Sequence, residues 1–392
     1  MRVLFVSPYP PSVDGIGDYT SRLAAAVRIR GNEVRVVLPR RGDRDAADVI
    51  GFIGGGRSKQ AAGVRHDIAR FSPDIVHVQF AVAAFGTRTL ALLRWLKALK
   101  RDLAVPVVVT MHEVTRDTAL LRAPGRVLYR AIARQCDLII VHTQTARATV
   151  TESGIGLPAK VVVVPHPAAR PPDGSIRQSD LRERFGLGHL PILLAFGFIH
   201  VDKGLQDLVQ ALGVLRHAES WSAGEPRLVI AGVVRRRDGP MRIFEVPDRL
   251  HLRMVLRQAR RTGVRDQLIL TGYVPDAEVA DWFRAADAVV LPYRRIEESG
   301  VAGIAVALRA PVLASRVGGL AEQFGESPWT FPAGDPDALA RVIASFLAAP
   351  PQQRETARQH RQTADMDAVV DSTLDGYAQA VAARARGLAR VS

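Results

Sequence analysis

The sequence contains little cysteine and few aromatic residues, and it lacks long apolar runs. Cys136 is the single cysteine among 392 residues, which excludes an internal disulfide, and no Cys/His cluster has the spacing of a zinc site. No apolar run is long enough to span a bilayer. The run from Met1 stops at Pro8 without the basic leader or cleavage site of a signal peptide. We therefore expect a cytoplasmic protein in a reducing compartment.

Acidic residues are outnumbered by basic ones. The chain carries 53 Lys and Arg against 39 Asp and Glu, a net charge of +14. Such an excess is compatible with nucleic acid, an anionic membrane or a phosphorylated substrate, and equally with a solvated, arginine-rich surface. No nucleic-acid-binding motif accompanies the charge, so a nucleic-acid-binding protein is the weakest of these interpretations.

Short β-branched runs alternate with longer amphipathic segments along the whole chain. This alternation predicts βαβ units and parallel, doubly wound sheets. With 47% hydrophobic residues, a chain of this length suits two domains of similar size. The predicted strands are 2–7, 33–38, 75–79, 106–111, 138–142 and 161–165 in the first half, and 191–196, 227–231, 267–270, 288–291 and 311–314 in the second; residues 19–30 and 204–216 are predicted helices.

The alternation breaks at residues 167–179, which carry Pro171-Pro172-Asp173-Gly174 and little apolar content. This segment predicts an interdomain hinge. We expect a first domain over residues 1–175, a second over 176–364, and a cleft between them that closes about the hinge. A helical pattern within 365–392 is predicted to cross back and complete the first domain.

Two features of the first half have the character of a ligand site. The segment Gly15-Ile16-Gly17 follows the first strand and precedes a helix, where backbone N–H groups can approach an anion. His112 ends a predicted strand at the carboxyl edge of a parallel sheet, where ligands of such sheets bind. A plain glycine turn and a packed structural histidine remain the alternative interpretations, the latter also for His77, His142 and His166.

The second half has two further loops that follow a predicted strand and carry candidate ligand-binding residues. The loop after the strand 191–196 carries His200 and Lys203, which are suited to neutralising a diphosphate. After the strand 288–291, Glu297 and Glu298 precede Ser299, Gly300 and Val301 at a helix start, where amides can hold a phosphate and a carboxylate can accept from sugar hydroxyls. The alternatives are an exposed lysine and an acidic first turn that complements the helix dipole.

A basic segment lies at residues 94–101, with Arg94, Lys97, Lys100 and Arg101 among apolar residues. If these four side chains share one helix face, they predict weak binding to an anionic membrane surface. The alternative is a solvated helix whose apolar stripe packs into the first domain.

Taken in order and spacing, these segments resemble family 4 of the retaining GT-B glycosyltransferases over nearly the whole chain. The resemblance rests on the Pro-Pro-x-x-x-Gly-x-Gly start, Thr110-Met111-His112-Glu113, Asp202-Lys203-Gly204, Thr271-Gly272-Tyr273-Val274 and Glu298-Ser299-Gly300-Val301. It implies two Rossmann-like domains facing a cleft, and metal-independent transfer of a hexose from a nucleoside diphosphate sugar, with no cofactor. The acceptor stays open among glycans, lipid-linked sugars and small metabolites.

The resemblance also implies roles for individual residues. Gly15, Ile16 and Gly17 would lie by the diphosphate or the acceptor, and His112 would contact the transferred sugar. Lys203, with His200, would bind the diphosphate, and the backbone of Tyr273 and Val274 would meet the nucleobase. Glu297 or Glu298 would bind the sugar or ribose, and the amides of Ser299, Gly300 and Val301 the distal phosphate.

Two positions depart from the family pattern. Phe198 stands where the family usually has an arginine, and Ile304 stands where it has a second glutamate. These departures keep open a non-catalytic GT-B-like protein that binds nucleotide sugars or acts as a scaffold.

Overall fold

The computed structural model describes residues 1–11, 14–40, 47–53, 66–168, 171–218, 224–235, 242, 245–360 and 364–389. Residues 12–13, which precede the predicted glycine segment, and residues 169–170 of the predicted hinge lie outside these ranges. The chain divides into two units, Met1–Pro167 with Ala364–Ser392, and Ala168–Thr363. The predicted fold class, α/β with two doubly wound parallel sheets, is confirmed.

A seven-stranded parallel sheet forms the core of the first unit, in the order β3-β2-β1-β4-β5-β6-β7. Its central strands are mostly apolar and are buried on both faces because helices cover both sides of a parallel sheet. The strands are β1 Arg2–Val6, β2 Glu33–Leu38, β3 Val49–Phe52, β4 Ile75–Phe80, β5 Val107–Met111, β6 Leu138–Val141 and β7 Val161–Val163.

The helices of the first unit include one from the end of the chain. Arg30 donates hydrogen bonds to Asp367 and Asp371 of this last helix, and Tyr377 is fully buried in the core. The C-terminal segment is thus part of the first unit. The helices are α1 Gly15–Ile29, α2 Val82–Phe85, α3 Thr89–Asp102, α4 Val114–Ala133, α5 Gln144–Glu152 and, from the chain end, α14 Met366–Ala389.

A six-stranded parallel sheet forms the core of the second unit, in the order β10-β9-β8-β11-β12-β13. The strands are β8 Ile192–Phe196, β9 Arg227–Ala231, β10 Leu268–Leu270, β11 Ala288–Leu291, β12 Val312–Ser315 and β13 Thr330–Phe331. The helices are α6 Gln178–Arg184, α7 Leu205–His217, α8 Val246–Arg261, α9 Asp276–Ala285, α10 Gly300–Ala307, α11 Gly318–Phe324, α12 Pro336–Ala348 and α13 Pro351–Glu355.

The predicted hinge is partly built into the second unit. The amide of Ile176 donates to the carboxylate of Asp281 at 3.0 Å, and Arg284 donates to Asp173 at 3.1 Å. Residues from 173 onward are therefore fastened to α9 rather than forming a free linker. The second unit begins at Ala168, earlier than the predicted boundary at 175–176.

Three elements differ from the sequence prediction. The strands β3 and β13 were not predicted, because β3 contains a glycine and β13 spans only two residues, too short for a periodic signal. Helix α1 begins at Gly15, not at Tyr19, because Asp14 caps it. The glycine segment is consequently the first helical turn.

Helix α3 presents one basic face, but Lys100 is not part of it. Leu92, Leu96 and Leu99 are buried on the opposite side, and Lys100 donates to the backbone oxygen of Gln135 at 3.4 Å. At about 100° per residue, position 100 lies well off the stripe of Arg94, Lys97 and Arg101. The condition that the four basic residues share one face is met by Arg94, Lys97 and Arg101 but not by Lys100. The exposed stripe consists of Leu90, Arg94, Lys97 and Arg101.

Candidate functional site

The strand order of the second unit reverses between β8 and β11, which are neighbours in the sheet. Ligands of open parallel sheets bind at such a switch point, outside the carboxyl ends of the strands. The loop after β8 covers residues 197–204, and the loop after β11 covers 292–299. Most residues that the sequence singled out in this half lie in these two loops.

The two loops are tied to each other by backbone and side-chain contacts. The amide of Arg294 donates to the backbone oxygen of Asp202 at 2.8 Å, and its guanidinium pairs with Asp207 through bonds of 2.6 and 2.8 Å. Gly204 has φ +64°, and a Cβ atom there would collide with the backbone oxygen of Pro292. The loops therefore form one rigid support at the sheet edge.

Lys203 lies on a cavity in this support. Its ammonium group donates to the backbone oxygen of Phe196 at 2.8 Å and sits 5.3 Å from the centre of the Tyr293 ring. The buried Tyr293 hydroxyl has no hydrogen-bond partner among the described residues. Lys203 and Tyr293 thus line the same cavity, and the lysine supplies a positive charge there that suits a phosphate oxygen. The lining residues are Ala195, Phe196, Gly197, Phe198, Ile199, Lys203, Leu205, Ile230, Val290, Pro292 and Tyr293.

His200 is held within its own loop. Its Nδ1 accepts from the amide of Asp202 at 3.2 Å, and its Nε2 lies 3.9 Å from a carboxylate oxygen of Asp248 on α8. A neutral ring that accepts at Nδ1 carries its proton on Nε2, toward Asp248. His200 does not line the cavity next to Lys203.

A cation that the sequence did not single out lies over Phe198. The guanidinium carbon of Arg235, in the loop after β9, is 5.7 Å from the centre of the Phe198 ring. Phe198 itself is 40% exposed and occupies the place of the family's arginine. A positive charge is therefore present beside this position, although it comes from the neighbouring loop. Spacing along the chain gave no signal for it.

Glu298 is a carboxyl group that favours its protonated form. Burial raises its pKa to about 8, the nearby carboxylate of Glu322 adds to the shift, and a hydrogen bond from the Ser299 amide opposes it. Near neutral pH the protonated form can donate a hydrogen bond as well as accept one. The neighbouring Glu297 is buried, and its backbone oxygen accepts from the Gly319 amide at 3.0 Å.

Helix α10 begins directly after these carboxyl groups. Ser299 caps it, and its Oγ accepts from the amide of Ala302 at 3.1 Å. The amides of Gly300 and Val301 lie in the first turn, where α-helix geometry provides no carbonyl acceptor. Ile304, on the same helix, packs against the apolar core. No carboxylate from this helix thus replaces the family's second glutamate.

Tyr273 and Val274 lie in the loop after β10, the edge strand of the sheet. The side chain of Tyr273 is 67% exposed, whereas Val274 is buried. Neither residue lines the Lys203 cavity. Their proposed contact with a nucleobase through backbone atoms stays a prediction.

In the first unit, the side chain of the preceding residue, Asp14, caps the glycine segment. The Asp14 carboxylate accepts from the amides of Ile16 and Gly17 at 2.9 and 3.3 Å. Gly17 packs closely on the backbone of Pro8 and Tyr9, whereas a Cβ at Gly15 would meet nothing within 4 Å. The amides predicted to face an anion are therefore bonded to a carboxylate in this structure.

His112 follows β5, as predicted, and is buried; its predicted contact with the transferred sugar stays a prediction. Its Nε2 lies 2.7 Å from the amide oxygen of Gln79, and its Nδ1 lies 3.2 Å from the Nε2 of His142. The ring of Tyr19 on α1 packs edge-on against it at 5.2 Å. Burial, together with His142, His166 and His77, holds the pKa of His112 well below its usual value. The ring is uncharged near neutral pH.

Two general features of the described residues concern metals and membranes. Within the described ranges, no three His, Cys, Asp or Glu side chains converge as metal ligands would. No helix in the same ranges combines the length and apolar character needed to cross a bilayer.

Comparison with known proteins decides the family. The model of Glycosyltransferase Family 4 matches residues 13–168, and that of Glycosyl transferases group 1 matches 190–349. D-inositol 3-phosphate glycosyltransferase of Xylanimonas cellulosilytica is 31% identical over 332 residues, covering 79% of this chain and 73% of the relative. The chain belongs to glycosyltransferase family 4.

Two solved structures share the fold of this chain. Anabaena HepE, in complex with UDP and glucose, superposes with a TM-score of 0.73 at 16% identity, covering 96% of this chain and 98% of the other. Sucrose-phosphate synthase of Thermosynechococcus elongatus gives a TM-score of 0.68 at 19% identity over the full length of both chains. The predicted GT-B glycosyltransferase is confirmed.

Proposed function

We propose that this glycosyltransferase moves a hexose from a nucleoside diphosphate sugar to a hydroxyl group of a small polyol phosphate, with retention at the anomeric carbon. The donor part rests on the Lys203 cavity between the loops after β8 and β11. The acceptor part rests on the D-inositol 3-phosphate glycosyltransferases among the relatives. The excess positive charge of the chain is compatible with both anionic substrates.

In the proposed reaction, the bond between the anomeric carbon and the diphosphate oxygen breaks while the bond to the acceptor oxygen forms on the same face. The acceptor proton passes to the departing phosphate oxygen. Lys203 and Arg235 supply positive charge for the diphosphate, and the first-turn amides of α10 supply hydrogen bonds. Protonated Glu298 donates to a sugar or ribose oxygen. These groups act by charge and position alone, so the proposal requires no metal or cofactor.

A donor that binds only the folded protein should raise its melting temperature. We expect one of UDP, GDP or ADP, or its sugar, at 100 times its dissociation constant, to raise the melting temperature by about 5 °C. At the same ligand concentration the shift should be smaller in Lys203→Ala, because one positive charge of the proposed donor site is removed. If none of these ligands shifts the parent protein, the proposed donor class is wrong.

The departures at Phe198 and Ile304 favour one second candidate, a non-catalytic protein that binds nucleotide sugars. The discriminating measurement is turnover of the stabilising donor with inositol phosphate as acceptor. Formation of a glycosylated product, or slow release of free sugar, supports the enzyme. Donor binding without either outcome supports the binding protein.

We also propose that the exposed stripe of α3 attaches the enzyme weakly to anionic membranes. Replacing Arg94, Lys97 and Arg101 with Gln should reduce co-sedimentation with anionic vesicles, since each basic residue near the surface contributes about 1 kcal/mol. Lys100→Gln is the matched control, because its amine is turned to Gln135. Equal recovery of parent and triple variant would remove α3 from membrane binding.

A further inference from the structure

A buried chain of polar side chains crosses the sheet of the first unit and passes through His112. On one side, His112 Nδ1 lies 3.2 Å from His142 Nε2, and His142 Nδ1 lies 2.8 Å from the backbone oxygen of Val164. On the other side, His112 Nε2 lies 2.7 Å from the amide oxygen of Gln79. Both ring nitrogens of His112 are therefore engaged inside the protein.

The backbone end of this chain fixes the direction of its hydrogen bonds. The oxygen of Val164 can only accept, so His142 carries its proton on Nδ1. A neutral His142 then has a lone pair on Nε2, and His112 must donate to it from Nδ1. A neutral His112 consequently has a lone pair on Nε2, which faces Gln79.

The amide of Gln79 decides whether this lone pair can exist. With its oxygen toward His112, as in the structure, two acceptors would face each other unless His112 carries a proton on both nitrogens. With the amide turned by half a rotation, its NH₂ group donates to the neutral ring. The amide oxygen then faces His77 Nε2, which is 3.3 Å from the other amide atom. Each orientation of Gln79 thus corresponds to one charge state of His112.

The His77 end of this network of side chains is compatible with both orientations of the Gln79 amide. His77 Nδ1 lies 2.7 Å from the hydroxyl of Tyr377 on α14, and its Nε2 lies 2.7 Å from the hydroxyl of Thr110 on β5. A hydroxyl can donate or accept, so His77 can hold its proton on either nitrogen without losing a partner. The part of the network from Gln79 to His77 can therefore reverse its hydrogen-bond direction when the amide turns, whereas the part from His112 to Val164 keeps its direction.

The surroundings of His112 favour the uncharged state. His77 on β4, His142 after β6 and His166 after β7 all act against a proton on the ring, in addition to burial. The ring of Tyr19 on α1 covers one side of His112. The pKa of Tyr377 lies well above its usual value because of burial, so its hydroxyl stays protonated and can donate toward His77.

We propose that Gln79 is a positioning residue whose NH₂ group donates to the uncharged ring of His112 and fixes it at the carboxyl end of β5, and that proton uptake by His112 is coupled to reversal of the Gln79 amide. The coupling concerns the folded protein alone. Its consequence for sugar transfer rests on the proposed function, because there His112 would present an uncharged ring to the substrate.

The test replaces the Gln79 amide with a carboxylate, which when ionised can only accept hydrogen bonds. In Gln79→Glu, a carboxylate beside His112 Nε2 should hold a second proton on the ring. We expect ¹⁵N NMR of histidine-labelled protein to show an uncharged His112 in the parent at pH 6 to 8 and an imidazolium in the Glu variant. Gln79→Met, of similar volume, is the control and should leave the ring uncharged.

Two outcomes would overturn the proposal. One is an uncharged His112 in a Gln79→Glu variant whose melting temperature and circular dichroism match those of the Met variant. The other is a charged His112 in the parent at pH 7. Both are read without any assay of sugar transfer, so they are distinct from failure of the proposed function.

Turnover adds a second readout where the parent is active. The Glu variant should have a kcat about tenfold below that of the parent at both pH 6 and pH 8, because its ring carries the extra proton at both, and tenfold corresponds to about 1.4 kcal/mol in the activation barrier. The Met variant should stay close to the parent at both pH values. Equal kcat values for the Glu and Met variants would show that the charge of His112 does not influence transfer.

Discussion

Lys203→Ala should lower kcat by about 10²-fold or more at saturating donor, because it removes the positive charge that stabilises the departing diphosphate in the transition state. The ammonium group lies on the cavity beside the loops after β8 and β11. Its contact with the backbone oxygen of Phe196 is a single hydrogen bond, so the fold should persist. Steady-state kinetics and thermal unfolding of the same preparation measure both effects.

Lys160→Ala is the matched control for this substitution. Lys160 also donates to a backbone oxygen, that of Cys136 at 3.4 Å, but it belongs to the first unit and lies before β7 rather than after a strand end. Its loss should leave kcat unchanged. Near-normal turnover of Lys203→Ala would remove Lys203 from the reaction, and an equal loss in both variants would indicate a general effect of losing a lysine.

Gly204→Ala should destabilise the protein by about 2 to 4 kcal/mol, because position 204 combines left-handed backbone with a blocked Cβ direction. The added methyl group would meet the backbone oxygen of Pro292. Relief of this contact would separate the two loops that Asp202 and Arg294 join. Chemical denaturation monitored by fluorescence should therefore show a lower midpoint, and donor binding should weaken.

Gly300→Ala is the comparison that isolates this effect. Gly300 begins α10, has no positive φ and would place its Cβ in open space. Alanine at a helical position of this kind is neutral or slightly stabilising. If both alanine variants unfold at the parent midpoint, the proposed rigidity of the loop support is wrong.

Much of the second unit could be predicted from the sequence. The strand bounds of β9 and β11 agree with the prediction, and Lys203, Glu298 and Ser299 fall after strand ends. The reason is that alternation between buried strands and amphipathic helices repeats over a few residues. A parallel sheet then brings every loop that follows a strand to one edge, whatever the order of the strands.

The chemical state of the candidate site could not be predicted in the same way. Glu298 favours its protonated form partly because Glu322, more than twenty positions later, lies near it. Arg235 reaches Phe198 from another loop. Asp14 caps the amides that the glycine pattern left for a ligand. Each of these facts depends on which atoms become neighbours after folding, and local periodicity carries no such information.

The sequence by itself determined two parallel α/β sheets, the positions of their loops and membership of the family, because hydrophobic period and motif spacing are properties of neighbouring residues. The tertiary structure alone decided which side chains share an environment. It placed the polar chain from Tyr377 through His77 and Gln79 to His112 in one interior. Burial and hydrogen-bond direction act through space, so the charge of His112 is set by residues from four separate segments of the chain.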